Sequence, residues 1–250
     1  MRREFIYPHR SVRIFPVSRG RVYTVLGIAV IICSCVFLFS SPLLDFHSQL
    51  SGFLLKLGGI PVSGFQYIDV FSFLSPVAAH SITIPHYQEN PWRFAVIFFI
   101  SFAVMVWVYR KIPLGRSFMI FLMILLIAAS FVILLHPSFH MSSTAYEQIW
   151  MRGEFLVWIL LPWISALLFS CTIPSLLHAV AWGLFLQVYA VIWSAVRLVF
   201  CLGVFHYTGI IFLPLLWFCL GILFDLVYIM VFFSFALRIS MKHALGGRKS

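Results

Sequence analysis

Residues 117–136 read SFMIFLMILLIAASFVILLH, a run of twenty residues without Asp, Glu, Lys or Arg. At ~1.5 Å per residue, an α-helix of this length crosses the ~30 Å hydrocarbon core of a bilayer. The whole chain shares this character, since 62% of its 250 residues are hydrophobic and 10% are charged. A soluble domain has too few polar side chains in such a composition to cover its surface. Because the apolar runs are unbroken rather than alternating, we predict an all-α integral membrane protein and not a β-barrel.

Six apolar runs are long enough to span a membrane, and they lie at residues 22–44, 92–109, 117–136, 155–173, 175–205 and 210–237. The sequence contains no internal repeat and no low-complexity linker, so we predict a single polytopic domain over residues 1–250. The first run is longer than a signal-peptide core and is expected to remain as a membrane anchor. Pro162 and Pro214 lie inside the fourth and sixth runs, where proline should kink the helices.

The distribution of basic residues predicts the orientation of the chain. Thirteen of the seventeen Lys and Arg lie before the first run, between the second and third runs, or after the sixth. They are Arg2, Arg3, Arg10, Arg13, Arg19, Arg21, Arg110, Lys111, Arg116, Arg238, Lys242, Arg248 and Lys249. Since cytoplasmic flanks carry the positive excess, we predict a bacterial inner membrane protein with both termini in the cytoplasm. The basic residues form no stripe with exposed aromatics, which argues against nucleic acid as a partner.

The segment 45–91 between the first two runs is predicted to lie outside the membrane, although it is rich in Phe, Tyr and Leu. Such a segment should lie in the interface or dip into the bilayer as a re-entrant hairpin. Gly58 and Gly59 precede Ile60 and Pro61 and predict a turn. The alternation over residues 81–84 indicates a short strand.

Two charged residues fall inside apolar runs and are the strongest indication of a site. Arg197 lies in the fifth run and Asp225 in the sixth, where insertion of a charge costs roughly 2.5 to 3.5 kcal/mol. We expect both side chains to face the protein interior on adjoining helices, where they pair directly or through water. Gln187, Tyr189 and Tyr228 are further candidate partners within the same two runs.

Histidines and cysteines supply a second set of candidates. Five histidines should lie at or near the outer face, namely His80, His86, His136, His140 and His206. Gathered imidazoles can bind a metal or haem, but no metalloprotease motif is present and Pro137 interrupts the spacing of His136 and His140. The favoured interpretation is interfacial histidines, with no metal and no cofactor. The five cysteines, Cys33, Cys35, Cys171, Cys201 and Cys219, all fall in apolar runs and are interpreted as buried packing residues.

Part of the chain resembles the exosortase and archaeosortase family of membrane-embedded cysteine transpeptidases. The resemblance is carried by LLKLGGIPV at residues 54–62, by ITIP at residues 82–85 and by the layout of the second to fourth helices, over about 120 residues. The resemblance implies cleavage of a C-terminal sorting signal at the outer membrane face by a Cys, an Arg and a His. The comparable places hold residues 92–93, 132–135 and 150–152, which lack that catalytic set.

A second stretch, AVRLVF at residues 195–200 followed by HYTG at residues 206–209, looks like the arginine helix of the same family and the turn after it. Either Cys171 or Cys201 would then have to be the nucleophile. Cys171 and His206 are separated by about 50 Å along a helix, whereas a nucleophile and its base must approach within about 3 Å. Cys201 is closer to His206, but its spacing does not match the family. No catalytic residue is therefore predicted.

The sequence supports three functions. The leading interpretation is a non-catalytic integral membrane subunit, whose partners are membrane lipids and other integral membrane proteins, with oligomerisation possible. The first alternative is the six-helix export permease of a two-subunit ABC transporter, which agrees with the length and the basic N-terminal stretch. The second alternative is an exosortase-like membrane cysteine transpeptidase.

Overall fold

The computed structural model of the chain describes residues 19–83, 91–111, 116–136, 141–173 and 175–246. The elements in these ranges are α1 (Arg19–Leu38), α2 (Ser40–Leu57), β1 (Val62–Ile68), β2 (Val77–Ile82), α3 (Pro91–Lys111), α4 (Arg116–Leu135), α5 (Ser143–Thr172), α6 (Leu176–Thr208), α7 (Leu213–Leu216) and α8 (Phe224–Gly246). A 3-10 turn, Ile210–Phe212, precedes α7, and a π-helix, Trp217–Leu223, follows it.

Five stretches of described helix are long and apolar enough to cross a membrane. They are Gly20–Leu38, Arg116–Leu135, Ser143–Phe169, Leu176–Thr208 and Ile210–Ile239. These stretches fall on the first, third, fourth, fifth and sixth predicted runs, so the prediction of a helical membrane protein is confirmed at that level. The second predicted run, 92–109, lies within the 21-residue helix α3.

The chain divides into two compact units. Unit 1 contains Met1–Phe37, Trp158–Val188 and Ile229–Ser250, and unit 2 contains Leu38–Val157 and Tyr189–Tyr228. In unit 1, small side chains let the helices approach closely: Ala29 of α1 and Ala166 of α5 pack together with Val25 beneath Trp163. The core of unit 2 is larger and is built from aromatic and aliphatic side chains around Trp150, Leu198 and Phe205.

The first predicted run does not form one helix. Helix α1 ends at Leu38 and α2 begins at Ser40, whereas the run was expected to continue unbroken to residue 44. Pro42 explains the restart, because proline fits the first turn of a helix but removes a hydrogen bond from a helix interior. The predicted turn after α2 is present, with Gly59 at a φ of +68° that favours glycine.

The segment predicted to lie between the first two spanning helices contains a hairpin in addition to α2. Strands β1 and β2 pair antiparallel, with Val62 opposite Ile82 and Ile68 opposite Val77. The short strand expected at residues 81–84 is the end of β2, which stops at Ile82. The Ser48 hydroxyl of α2 donates to the carbonyl of Ala78 and ties the hairpin to that helix.

Helix α5 is longer than predicted, because it begins at Ser143 rather than at residue 155. Glu147 and Glu154 lie in this added part of the helix, and the fold buries both within unit 2. The two prolines also behave differently from expectation. Helix α5 continues on both sides of Pro162, and Pro214 lies at the start of α7, where its missing N–H is harmless.

The close packing of α2 on β2 gives a test of the fold. A Cβ atom added at Gly52 would lie 2.5 Å from Nε2 of the buried His80, so Gly52→Ala should lower the unfolding temperature in detergent. Gly153 of α5 is the matched control, since a Cβ there meets no atom within 4 Å. Gly153→Ala should instead stabilise by up to about 1 kcal/mol, through helix propensity alone. Equal effects of the two variants would contradict the packing described here.

Candidate functional site

A buried ionic cluster lies within unit 2, and each of its three members comes from a different helix. Arg197 of α6 directs Nη2 at both carboxylate oxygens of Glu154 of α5, at 2.9 and 3.0 Å. The same nitrogen lies 2.7 Å from Oδ1 of Asp225 of α8. The predicted contact between Arg197 and Asp225 is therefore present, and it is direct. We call Arg197, Glu154 and Asp225 the ionic cluster.

The second guanidinium nitrogen binds the backbone of the π-helix. Nη1 of Arg197 donates to the carbonyl of Leu220 and, at 3.0 Å, to the carbonyl of Gly221. A π-helix replaces the usual i→i−4 bonds by wider i→i−5 turns, and such segments often occur at functional sites. In this protein, the irregular backbone presents two carbonyl acceptors to a buried cation.

Burial makes the ionic cluster costly unless its members pair. Arg197 is 2% exposed, Glu154 is 4% exposed and Asp225 is 8% exposed. The Arg197 guanidinium also lies 5.7 Å from the ring centre of Trp150 and 5.9 Å from that of Tyr228, which adds cation–π attraction. In so apolar a setting the attraction within the cluster offsets a desolvation penalty of several kcal/mol per ion.

A second buried polar contact joins the hairpin to α5. Glu147 accepts the His80 backbone N–H at 2.7 Å, and its other oxygen lies 3.0 Å from Nδ1 of the His80 ring. The hydroxyl of Ser143 extends this contact, since it donates to the His80 carbonyl and accepts the backbone N–H of Ile82. His80 is 1% exposed, so its ring is enclosed by the protein.

His47 of α2 is a further buried histidine, and the sequence did not single it out. Burial, together with the neighbouring His80 and Arg197, lowers the pKa of His47 to about 3. The imidazole is therefore neutral at physiological pH and adds no charge beside the ionic cluster. Its polar neighbours include the backbone of Ser194 on α6.

The remaining predicted site residues are dispersed. The Nδ1 atom of His206 lies 2.6 Å from the carbonyl oxygen of Thr83, and His136 is exposed at the end of α4. His86 and His140 lie outside the described residues. Within the described ranges, no group of three or more His, Cys, Asp or Glu side chains is arranged to hold a metal ion.

The two polar candidates on α6 have partners other than those expected. Gln187 donates its amide to the carbonyl of Trp158 at 3.0 Å, within unit 1. Tyr189 stacks on Trp193 with 6.0 Å between ring centres and meets Tyr228 edge-on at 5.5 Å. Of the candidate partners for Asp225, Arg197 and Tyr228 contact its carboxyl group.

The cysteines divide into exposed and buried positions. Cys35 is exposed on α1, and Cys33 and Cys219 are half-buried, so the prediction that all five are buried is wrong. Cys201 is buried next to the hydroxyl of Tyr146, in the core of unit 2. Cys171 lies in the last turn of α5, and its side chain is outside the described part of the structure.

Neither glutamate of α5 was among the predicted site residues, because both precede the predicted run 155–173. The missed signal is their spacing, because Glu147 and Glu154 are seven residues apart and fall on one face of a helix. Tyr146 and Trp150 lie along the same side and are buried with them. The apolar residues between the glutamates therefore belonged to a helix whose polar positions face the protein interior.

The ionic cluster predicts strongly non-additive effects of substitution. Arg197→Met leaves the buried acidic groups of Glu154 and Asp225 without a cation and should cost about 3 to 5 kcal/mol of stability. The triple variant Arg197→Met, Glu154→Gln, Asp225→Asn should lose less, since no buried charge remains. Arg152→Met is the matched control, because among the described residues the hydrogen bonds of that exposed arginine go to the carbonyls of Asp69 and Val70.

The measurement is thermal unfolding of the purified variants in one detergent. A triple variant that loses as much as Arg197→Met, or more, would show that the three charges do not compensate one another. A large loss in Arg152→Met would show that removal of any arginine side chain is enough.

Comparisons with known proteins assign no family to this arrangement. The chain matches no protein-family model, no curated protein and no solved structure at significance. The function is therefore argued from the geometry and chemistry of the described side chains.

Proposed function

We propose that the chain is a six-helix protein of a bacterial inner membrane, with both termini in the cytoplasm. The spanning helices in this proposal are α1, α3, α4, α5, α6 and the composite stretch Ile210–Ile239. Thirteen of the seventeen Lys and Arg then lie on one side of the membrane. A contact within unit 1 supports the arrangement, since Arg21 at the start of α1 donates to the Ile173 carbonyl beyond the end of α5. Four crossings bring those two ends to the same face.

We further propose that the protein is a non-catalytic membrane subunit. The observation that carries this proposal is the ionic cluster, whose charged groups bind one another and the π-helix backbone inside unit 2. A catalytic centre has to expose reactive groups to a substrate, whereas Arg197 and Glu154 are almost completely buried. The cluster is better suited to fixing the arrangement of three helices.

The surface of α4 supports a role in assembly. Only 17% of the apolar membrane-spanning segment of α4 is buried within the protein, compared with 50% of the corresponding segment of α6. The exposed large side chains of α4 are Phe118, Phe121, Ile124, Phe131, Val132 and Leu135. Such a helix is covered by lipid tails or by the helices of another membrane protein. The proposed partners are therefore lipids and integral membrane proteins.

The environment of Cys201 weighs against the transpeptidase. A cysteine nucleophile is a thiolate that needs a base within hydrogen-bond reach and access for substrate. Cys201 is fully buried, and the group against its sulfur is the Tyr146 phenol. The ring of His206 has the Thr83 carbonyl as its polar neighbour. The ABC export permease would be recognised by an ATPase partner, which the assembly experiment would detect.

The topology is tested with reporter fusions. Fusions after Arg116 and after Ser250 should both report a cytoplasmic position, because both follow basic segments on the same side. A fusion in the hairpin between Ile68 and Val77 should report the opposite side and serves as the control. A periplasmic signal at either of the first two positions would overturn the six-helix proposal.

The assembly role is tested with a photo-crosslinking amino acid placed on α4 in native membranes. A photoprobe at the exposed Phe131 should yield a crosslink to one defined integral membrane protein. The matched control is Leu126 on the same helix, which is 8% exposed and should give only crosslinks within the chain. Crosslinks to lipid alone would refute the subunit proposal. Recovery of a stoichiometric ATPase would favour the permease, and a peptide trapped on Cys201 would favour the transpeptidase.

A further inference from the structure

The ionic cluster has an unbalanced formal charge. This imbalance indicates a property of the protein beyond its proposed role as a membrane subunit. Arg197 contributes one positive charge, while Glu154 and Asp225 each contribute one negative charge when ionised. The fully ionised cluster thus carries a net charge of about −1 in a low-dielectric interior, where even one uncompensated ion is costly. The side chains around it have to supply the missing positive charge or the cluster has to bind it.

The groups that face the ionic cluster supply no such charge. His47 from α2 is held neutral by burial, which lowers its pKa to about 3. Tyr146 of α5, Cys201 of α6 and Tyr228 of α8 are neutral or anionic in any protonation state. The π-helix contributes carbonyl oxygens, which attract cations but carry no proton. His80 is engaged with its own carboxylate, Glu147.

The contacts within the ionic cluster distinguish its two carboxyl groups. Both oxygens of Glu154 accept hydrogen bonds from Nη2 of Arg197, as expected of an ionised carboxylate. Asp225 Oδ1 lies 2.7 Å from the same nitrogen, whose hydrogen bonds already go to the two oxygens of Glu154. The remaining neighbour of the Asp225 carboxyl is the uncharged phenol of Tyr228, and Asp225 is only 8% exposed to water. An ionised carboxylate in this position is the most costly member of the cluster.

We infer that the ionic cluster is a proton-binding site in which one proton resides on Asp225. The bound proton converts the Asp225 carboxylate to a carboxylic acid and makes the sum of the three formal charges zero. Glu154 remains the ionised partner of Arg197. The ligand of the site is therefore a hydrogen ion. Sodium, the other small cation that carboxylate and carbonyl oxygens could bind here, is the competing occupant.

Infrared spectroscopy of the unmodified protein tests this inference directly. The chain has only three aspartates, of which Asp45 and Asp69 are exposed and Asp225 is buried. Protein labelled with ¹³C at the aspartate side-chain carboxyl should therefore show one shifted carboxylic-acid band at pH 7, which is due to Asp225. Absence of an aspartate-dependent acid band would overturn the inference. No variant has to fold for this measurement.

Thermal unfolding supplies an independent test. Asp225→Asn keeps the shape of the protonated side chain and should leave the unfolding temperature unchanged. Asp225→Asn combined with Glu154→Gln leaves Arg197 alone and should lower it by on the order of 10 °C. A comparable loss in Asp225→Asn alone would contradict a protonated Asp225. So would an unfolding temperature that rises with sodium but not with choline, since the site would then bind sodium.

Discussion

The guanidinium of Arg197 is the group on which the arrangement of unit 2 depends. A lone arginine in a helix of hydrophobic residues costs several kcal/mol, so the fold is stable only where acidic groups converge on it. Glu154 and Asp225 come from helices before and after α6, and the backbone at Leu220 and Gly221 completes the shell. The requirement to pair one buried cation therefore fixes the positions of α5, α6, the π-helix and the start of α8 relative to one another.

The π-helix has a physical explanation in the same contact. Regular α-helical backbone has its carbonyls committed to N–H groups four residues later, which leaves little acceptor capacity for a side chain. In Trp217–Leu223, the successive carbonyls of Leu220 and Gly221 accept hydrogen bonds from Arg197, and the Gly221 carbonyl also accepts a backbone N–H. Polar irregular backbone is tolerated at membrane depth only when protein groups satisfy it, and here a charged side chain does so.

The His80–Glu147 contact gives unit 2 a second polar attachment, which joins elements distant in sequence. Glu147 accepts the backbone N–H of His80 on β2 and also contacts the His80 ring, so two polar contacts hold the hairpin to α5. This contact and the ionic cluster lie seven residues apart on α5, while apolar side chains such as Trp150 fill the space between them. Helix α5 thereby supplies a buried carboxyl group to each of the two polar contacts of unit 2.

The sequence by itself determined that this is a helical membrane protein, where most of its helices lie, and that Arg197 and Asp225 should meet. These properties follow from hydropathy and from the cost of a charge in lipid, both of which are local. Only the tertiary structure decided that Glu154 completes the ionic cluster and that Glu147 binds His80, because a glutamate beside an apolar run looks solvated until its partner is known. The division of residues 22–57 into α1 and α2, and the π-helix, also depended on packing, since neither changes the hydropathy pattern.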